Sequence, residues 1–134
     1  MKLLLNIDVP DLAAAEAFYM AAFGLAPARR FGEDVVELTG APVPLYLLRK
    51  AADSVADAPA DRDYTRHWTP LHCDVAVDDL EAALARALSA GAFREGAIRE
   101  AVWGRIVQLA DPFGHGWCLL EFRGRGYDEI ADPR

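Results

Sequence analysis

The same succession of signals runs through this chain twice: a strand, a capped helix and three more strands. Few architectures accommodate such a duplication. Residues 3–9 read as a strand that stops at Pro10-Asp11. Asp11 is placed to accept the free N–H groups of a helix over 12–23, with Leu12, Ala15, Tyr19, Ala22 and Phe23 on one face and Gly24 at its end. Strands are expected over about 26–31, 34–39 and 43–49, divided by Gly32-Glu33-Asp34 and Gly40-Ala41-Pro42. The order then returns with a strand over 70–77, Asp78-Asp79 as cap, and a helix over 80–90. That helix carries Leu80, Ala83, Leu84, Ala87 and Leu88 on one face and ends at Gly91. Strands follow near 93–100, 102–110 and 116–123, with Asp111-Pro112-Phe113-Gly114 as a tight turn. Val9-Pro10-Asp11-Leu12 matches Val77-Asp78-Asp79-Leu80, and Leu38 to Leu48 lies without gaps on Leu109 to Leu119.

One such unit leaves strand edges open, and pairing two of them buries the helix-facing side and encloses a cleft. The expected fold is α+β, two βαβββ units in tandem forming a curved, partly open mixed sheet around a cavity. A generic α+β sandwich with coincidental spacing is the other reading. The 134 residues fit a single domain: unit one over 1–50, an Ala/Asp-rich linker over 51–66 without strand signal, unit two over 67–123, and a tail over 124–134.

A formal charge of -7, from 21 acidic and 14 basic side chains, argues against nucleic acid or an anionic membrane as partner, since no basic stripe interrupts it. The apolar start Leu3-Leu4-Leu5 is broken by Asn6 and Asp8, no cleavage site follows, and no stretch approaches the ~20 apolar residues of a membrane span. Two cysteines, Cys73 and Cys118, make no disulfide framework. A soluble, cytoplasmic protein is expected.

Val9-Pro10-Asp11-Leu12, then Phe18-Tyr19 ahead of Phe23-Gly24, form the opening of the first half. The second half has His72 five residues before Val77 and closes with Asp111-Pro112-Phe113-Gly114-His115. In their order and duplication, over residues 3–122, these motifs resemble the vicinal oxygen chelate superfamily of glyoxalase, bleomycin-resistance and dioxygenase proteins. The resemblance implies that a metal, where present, takes a ligand from the first and last strand of each unit. Those four places hold Leu4, Leu47, His72 and Cys118. Aliphatic side chains have no lone pairs, and one His with one Cys falls short of the three protein ligands of a catalytic zinc. No metal site and no other cofactor are therefore expected; a divalent ion lacks a full ligand set.

What remains is a small-molecule cavity. Strand alternation sets Leu4, Asn6 and Asp8 on its face beside Leu45, Leu47 and Arg49, and His72 and Asp74 beside Arg105, Val107, Cys118 and Leu120. Tyr46, Trp117, Leu119 and Cys73 fall on the helix side. Asn6, Leu47, Asp74, Arg105 and Cys118 are the candidate ligand-binding residues, and His72 the candidate catalytic one. His72 reads either as a general base or polar anchor, or as an imidazole satisfied by a neighbouring carbonyl. Cys118 reads as a nucleophile only if a cation stabilises its thiolate, and otherwise as an inert buried thiol. Arg105 either meets an anionic ligand group or pairs with Glu100 or Asp74. His115 in its turn and His67 beside Trp68 suit solvated or capping roles.

Three classes of function follow: a metal-independent protein that binds and sequesters a flat or amphiphilic molecule, an enzyme using His72 on a carbonyl or electrophilic substrate, or a purely structural dimer module. The outer strands near 3–8 and 70–76 need partners, which predicts a two-fold homodimer. Sedimentation at tens of micromolar should give a dimer; a lone monomer there contradicts the expectation.

Overall fold

In the computed structural model, residues 1–67 and 69–133 are described; Trp68 and Arg134, the last residue of the expected tail, lie outside them. The chain forms two compact units, Met1–Thr65 and Arg66–Arg134.

Unit one contains strand β1 (Leu5–Val9), helix α1 (Leu12–Phe23) and strands β2 (Ala26–Phe31), β3 (Val35–Thr39) and β4 (Leu45–Arg49). They form a four-stranded sheet in the order β1-β4-β3-β2, with β1 parallel to β4 and the other neighbours antiparallel. Asp11 accepts from the Ala14 N–H at 3.0 Å, and Gly24, at φ 68°, donates its own N–H to Met20. The residues buried on α1 are Ala15, Phe18, Tyr19 and Ala22. Phe18 thus belongs to the packed face, while Leu12 and Phe23 stand on its flank, as 100° per residue requires of a stripe centred between Ala15 and Ala22. That stripe covers Ile7, Val9, Val36, Leu38 and Leu47.

The stretch expected to be a linker instead carries a hairpin, β5 (Val55–Asp57) and β6 (Ala60–Asp61). Alanine and aspartate are weak strand formers, so nothing in side-chain pattern marks it. Backbone bonds close it, Arg62 N–H to Ser54 at 2.8 Å and Asp53 N–H to Arg62 at 2.9 Å. Arg62 then reaches Asp8 of β1 at 2.8 Å, and the Tyr64 hydroxyl donates to the Lys50 carbonyl at 2.7 Å.

Unit two repeats the layout with β7 (Cys73–Ala76), α2 (Leu80–Ala90), β8 (Phe93–Arg94), β9 (Arg99–Ala101), β10 (Gly104–Ala110) and β11 (Gly116–Phe122). The order is β7-β11-β10-β8, with β9 also on β10 and β7 parallel to β11. The strand expected over 93–100 is split: Phe93 and Arg94 pair with Ala110 and Leu109, and the chain rejoins at Arg99 opposite Ile106. Gly96 lies in the excursion and its carbonyl is held by Arg94 at 2.6 Å. α2 is capped by Asp79, buries Leu80, Ala83, Leu84 and Ala87, and leaves Leu88 exposed.

Two carboxyl groups anchor this unit. Glu121 on β11 accepts from the Leu80 N–H at 2.9 Å, tying the start of α2 to the sheet. Asp111 is buried in the turn before β11 and accepts from Phe113 and His115 N–H at 2.8 and 3.0 Å and from the Trp117 indole at 3.2 Å. The His115 ring lies against the same carboxyl, Nδ1 to Oδ2 at 2.8 Å. No described helix is long and apolar enough to cross a membrane.

Gly104 opens β10 at φ +148°, and a Cβ there would collide with the Glu121 carbonyl. Gly104→Ala should therefore destabilise the protein by at least about 2 kcal/mol, read as a lowered melting temperature, because β11 backbone must move.

Candidate functional site

Residues paired across neighbouring strands project to the same side of a sheet, so register decides what shares a face. In unit one Ile7, Leu47 and Val36 are aligned, and so are Asn6, Tyr46 and Glu37, and Asp8, Leu48 and Val35. The first row lies under α1. Leu47 is therefore core, at 0% exposure, and not a ligand contact beside Asn6. Tyr46, expected on the helix side, shares the outer face with Asn6, which is exposed.

The misplacement has a single origin. Leu38 pairs with Leu45, but its repeat mate Leu109 pairs with Trp117 rather than Gly116, so the unit-two hairpin closes one residue wider. The position equivalent to Cys118 is thus Tyr46.

In unit two the face turned away from α2 carries Asp74, Cys118 and Gln108 in one row, and Ala76, Leu120, Ile106 and Arg99 in the next. Asp74 and Cys118 fall where the sequence placed them. Arg105 and Val107 do not: Val107 aligns with Leu119 and Val75 under α2, and Arg105 with Glu121. The Arg105 guanidinium bonds Glu81 of α2 and, at 2.9 Å, Glu121, in place of the expected Glu100 or Asp74. These two carboxylates hold its pKa well above the usual range. Arg105 staples helix to sheet.

His72 stands just before β7 with its Nε2 3.3 Å from Asp74 Oδ1. The side chains are 62% and 36% exposed, while Cys118 is buried. One ligand atom from each of His72, Asp74 and Cys118 lies within 4.8 Å of the others. Burial first, and then the Asp74 carboxylate, push the Cys118 thiol upward, against the opposing pull of Arg99. Cys73 is raised for the same two reasons. Neither cysteine is set up as a thiolate nucleophile.

Unit one has its own polar cluster, which the sequence reading missed. Glu37, 7% exposed, accepts from Arg29 Nε at 2.6 Å and Nη2 at 2.8 Å and from the Tyr46 hydroxyl at 2.8 Å. Arg29, followed by Tyr46, holds the Glu37 carboxyl at about 2. A glutamate inside Val35-Val36-Glu37-Leu38, flanked by buried apolar residues, was the available signal, since such a group needs a partner.

Residues 5–120 match the model of the family described as glyoxalase-like domain. The chain belongs to this family. Among relatives of the glyoxalase-like protein is Mb0911c, an uncharacterised protein of Mycobacterium bovis, 34% identical over 93% of this chain and 86% of its own length. A glyoxalase/bleomycin resistance protein/dioxygenase family enzyme of Burkholderia phytofirmans shares the fold at TM-score 0.71 and 18% identity, over 90% of this chain and 97% of that one. The fosfomycin resistance protein FosX of Listeria monocytogenes does so at TM-score 0.70 and 16% identity, over 93% and 95%. The α+β fold with two curved mixed sheets is that of the vicinal oxygen chelate superfamily.

A metal shared between the two units of a glyoxalase-like protein does not fit these residues. Leu4 has no donor atom, and the Tyr46 hydroxyl donates to Glu37 and accepts from Arg29 at 3.1 Å. Unit two, by contrast, offers three donors once Asp74 is counted with His72 and Cys118.

Glu37 and Glu121 are both held at about 2, Glu121 chiefly by the Leu80 N–H and then Arg105. Protons then bind the unfolded chain first, so both groups stabilise the fold above pH about 4.5 and lose that effect as pH falls toward about 2. The melting temperature should drop across that window, and less steeply in Glu37→Gln, which a calorimetric pH series measures.

Proposed function

We propose that this glyoxalase-like protein binds a small amphiphilic molecule on the face of the unit-two sheet turned away from α2. The observation that carries the reading is the composition of that face. Cys118 and Leu120 make a buried apolar floor, Ile106 is half-buried, and the exposed polar groups His72, Asp74, Gln108 and Arg99 border it. An apolar floor with few polar groups is what small ligands require. His72 anchors the polar end of the ligand, with its imidazole steadied by Asp74 at 3.3 Å. Arg105 and Leu47 take no part, and Asn6 belongs to the separate outer face of unit one.

A second reading is favoured by the same His72–Asp74 pair. A carboxylate beside an imidazole orients it as a general base, which suits a lyase- or dioxygenase-type member of the superfamily acting on a carbonyl or electrophilic substrate. The two readings part on turnover. Both are compatible with a homodimer that covers β1 and β7, the edge strands of their sheets.

A thermal-shift screen of aromatic and amphiphilic compounds against chelator-treated protein, followed by calorimetric titration, provides the test. His72→Ala should weaken a hit by about 1–3 kcal/mol, the cost of an unmet polar contact. The melting temperature should hold, because an exposed pair with Asp74 adds little. Unchanged affinity in that variant would overturn the reading, and consumption of the hit would select the enzymatic one.

A further inference from the structure

We propose that unit two by itself forms a site for a divalent transition-metal ion of the zinc type, held by His72, Asp74 and Cys118, with no ligand from unit one. It rests on the same face as the ligand-binding reading and shares His72 and Asp74 with it, but it is tested without any organic ligand.

The placement follows from strand geometry. Asp74 and Cys118 are direct partners across the parallel pair β7–β11. His72, two residues before Asp74, falls on the same side. Among the described residues this is the group of three whose His, Asp and Cys donor atoms converge, all within 4.8 Å of one another. Ligands bound to a tetrahedral zinc at ~2.0–2.3 Å stand about 3.3–3.7 Å apart. The His72 Nε2 to Asp74 Oδ1 distance, 3.3 Å, already satisfies that spacing. Only a small closure of the cluster is needed.

Donor chemistry selects the ion. Imidazole nitrogen and thiolate sulfur favour zinc, cobalt, nickel and ferrous iron, whereas magnesium and calcium prefer all-oxygen cages. Three protein ligands leave a fourth position for water or a ligand oxygen. The exposure of His72 and Asp74 provides an entry path from solvent. Two neighbours are already committed. Glu95, close enough to act on the Cys118 thiol, is bridged by Arg66 at 3.0 Å, and Arg99 is a cation that cannot ligate. The carboxylate of Asp74 is therefore the third ligand. This explains why a site counted from the family positions alone falls one donor short.

Titrating cobalt(II) into chelator-stripped, reduced full-length protein tests the proposal. The expected result is one cobalt per chain, with a sulfur-to-cobalt charge-transfer band in the near ultraviolet and tetrahedral d–d bands, all removed by competing zinc. Cys118→Ser should abolish the charge-transfer band, whereas Cys73→Ser should keep it. Asp74→Asn, at an exposed position, should weaken cobalt affinity at least about tenfold with the circular dichroism spectrum unchanged. Leu4→Ala and Tyr46→Phe should leave the spectrum as it is. The proposal is overturned if no charge-transfer band forms, if the band survives Cys118→Ser, if Asp74→Asn binds cobalt as wild type does, or if folded Tyr46→Phe loses it. A negative result leaves the small-molecule reading standing, since that is measured on protein stripped of metal.

Discussion

In each main sheet the strand that comes first in the chain lies parallel to the one that comes last, β1 on β4 and β7 on β11, and the helix that follows the first strand covers one side of the sheet. A parallel neighbour cannot be reached by a tight turn, so the chain must cross over, and the crossover helix fixes which side becomes interior. Val9, Val36 and Leu47 under α1, with Val107, Leu109 and Leu119 under α2, are consequences of that choice. Everything chemically interesting is what remains on the other side. The capping aspartates, Asp11 and Asp79, start the helix shortly after the first strand of each unit and so keep the two layouts alike.

The likeness stops at the outer faces. Unit one closes its polar groups upon themselves, with Arg29, Glu37 and Tyr46 exchanging hydrogen bonds and Arg29 lying 5.5 Å over the Phe31 ring. Unit two leaves imidazole, carboxylate and thiol adjacent and turned outward from the helix. Two units of one layout thus differ in whether the polar groups on the outer face are bonded to one another.

Helix positions, caps and the repeat itself were legible because each rests on local chemistry: an aspartate before an apolar stripe, a glycine after it. His72 and Asp74 were legible for the same reason, since alternation along one strand needs no knowledge of its neighbours, whereas Cys118 joins them through the register of β11 on β7. Leu47 and Arg105 were misplaced because their side depends on cross-strand register, which the width of a turn sets. Arg105 carried a further ambiguity. A long cationic side chain can reach either side's carboxylates, and the pair that won, Glu81 and Glu121, lies on α2 and β11. The hairpin at β5 and β6 escaped notice because main-chain bonds and Arg62 hold it, not a hydrophobic pattern.

The Asp111 turn has a bearing beyond its own stability. By gathering the Phe113 and His115 amides and the Trp117 indole around one buried carboxyl, it dictates the step at which β11 enters the sheet. Trp117 is both a partner of that carboxyl and the first inward residue of the strand, so the clasp sets the phase of all that follows. Slipping by a single residue would drive Cys118 and Leu120 beneath α2 and turn Trp117 and Leu119 out to water. Chemistry at this surface is therefore governed from a turn that touches none of it, and insertions or deletions there would rewrite the face wholesale where point substitutions only retouch it.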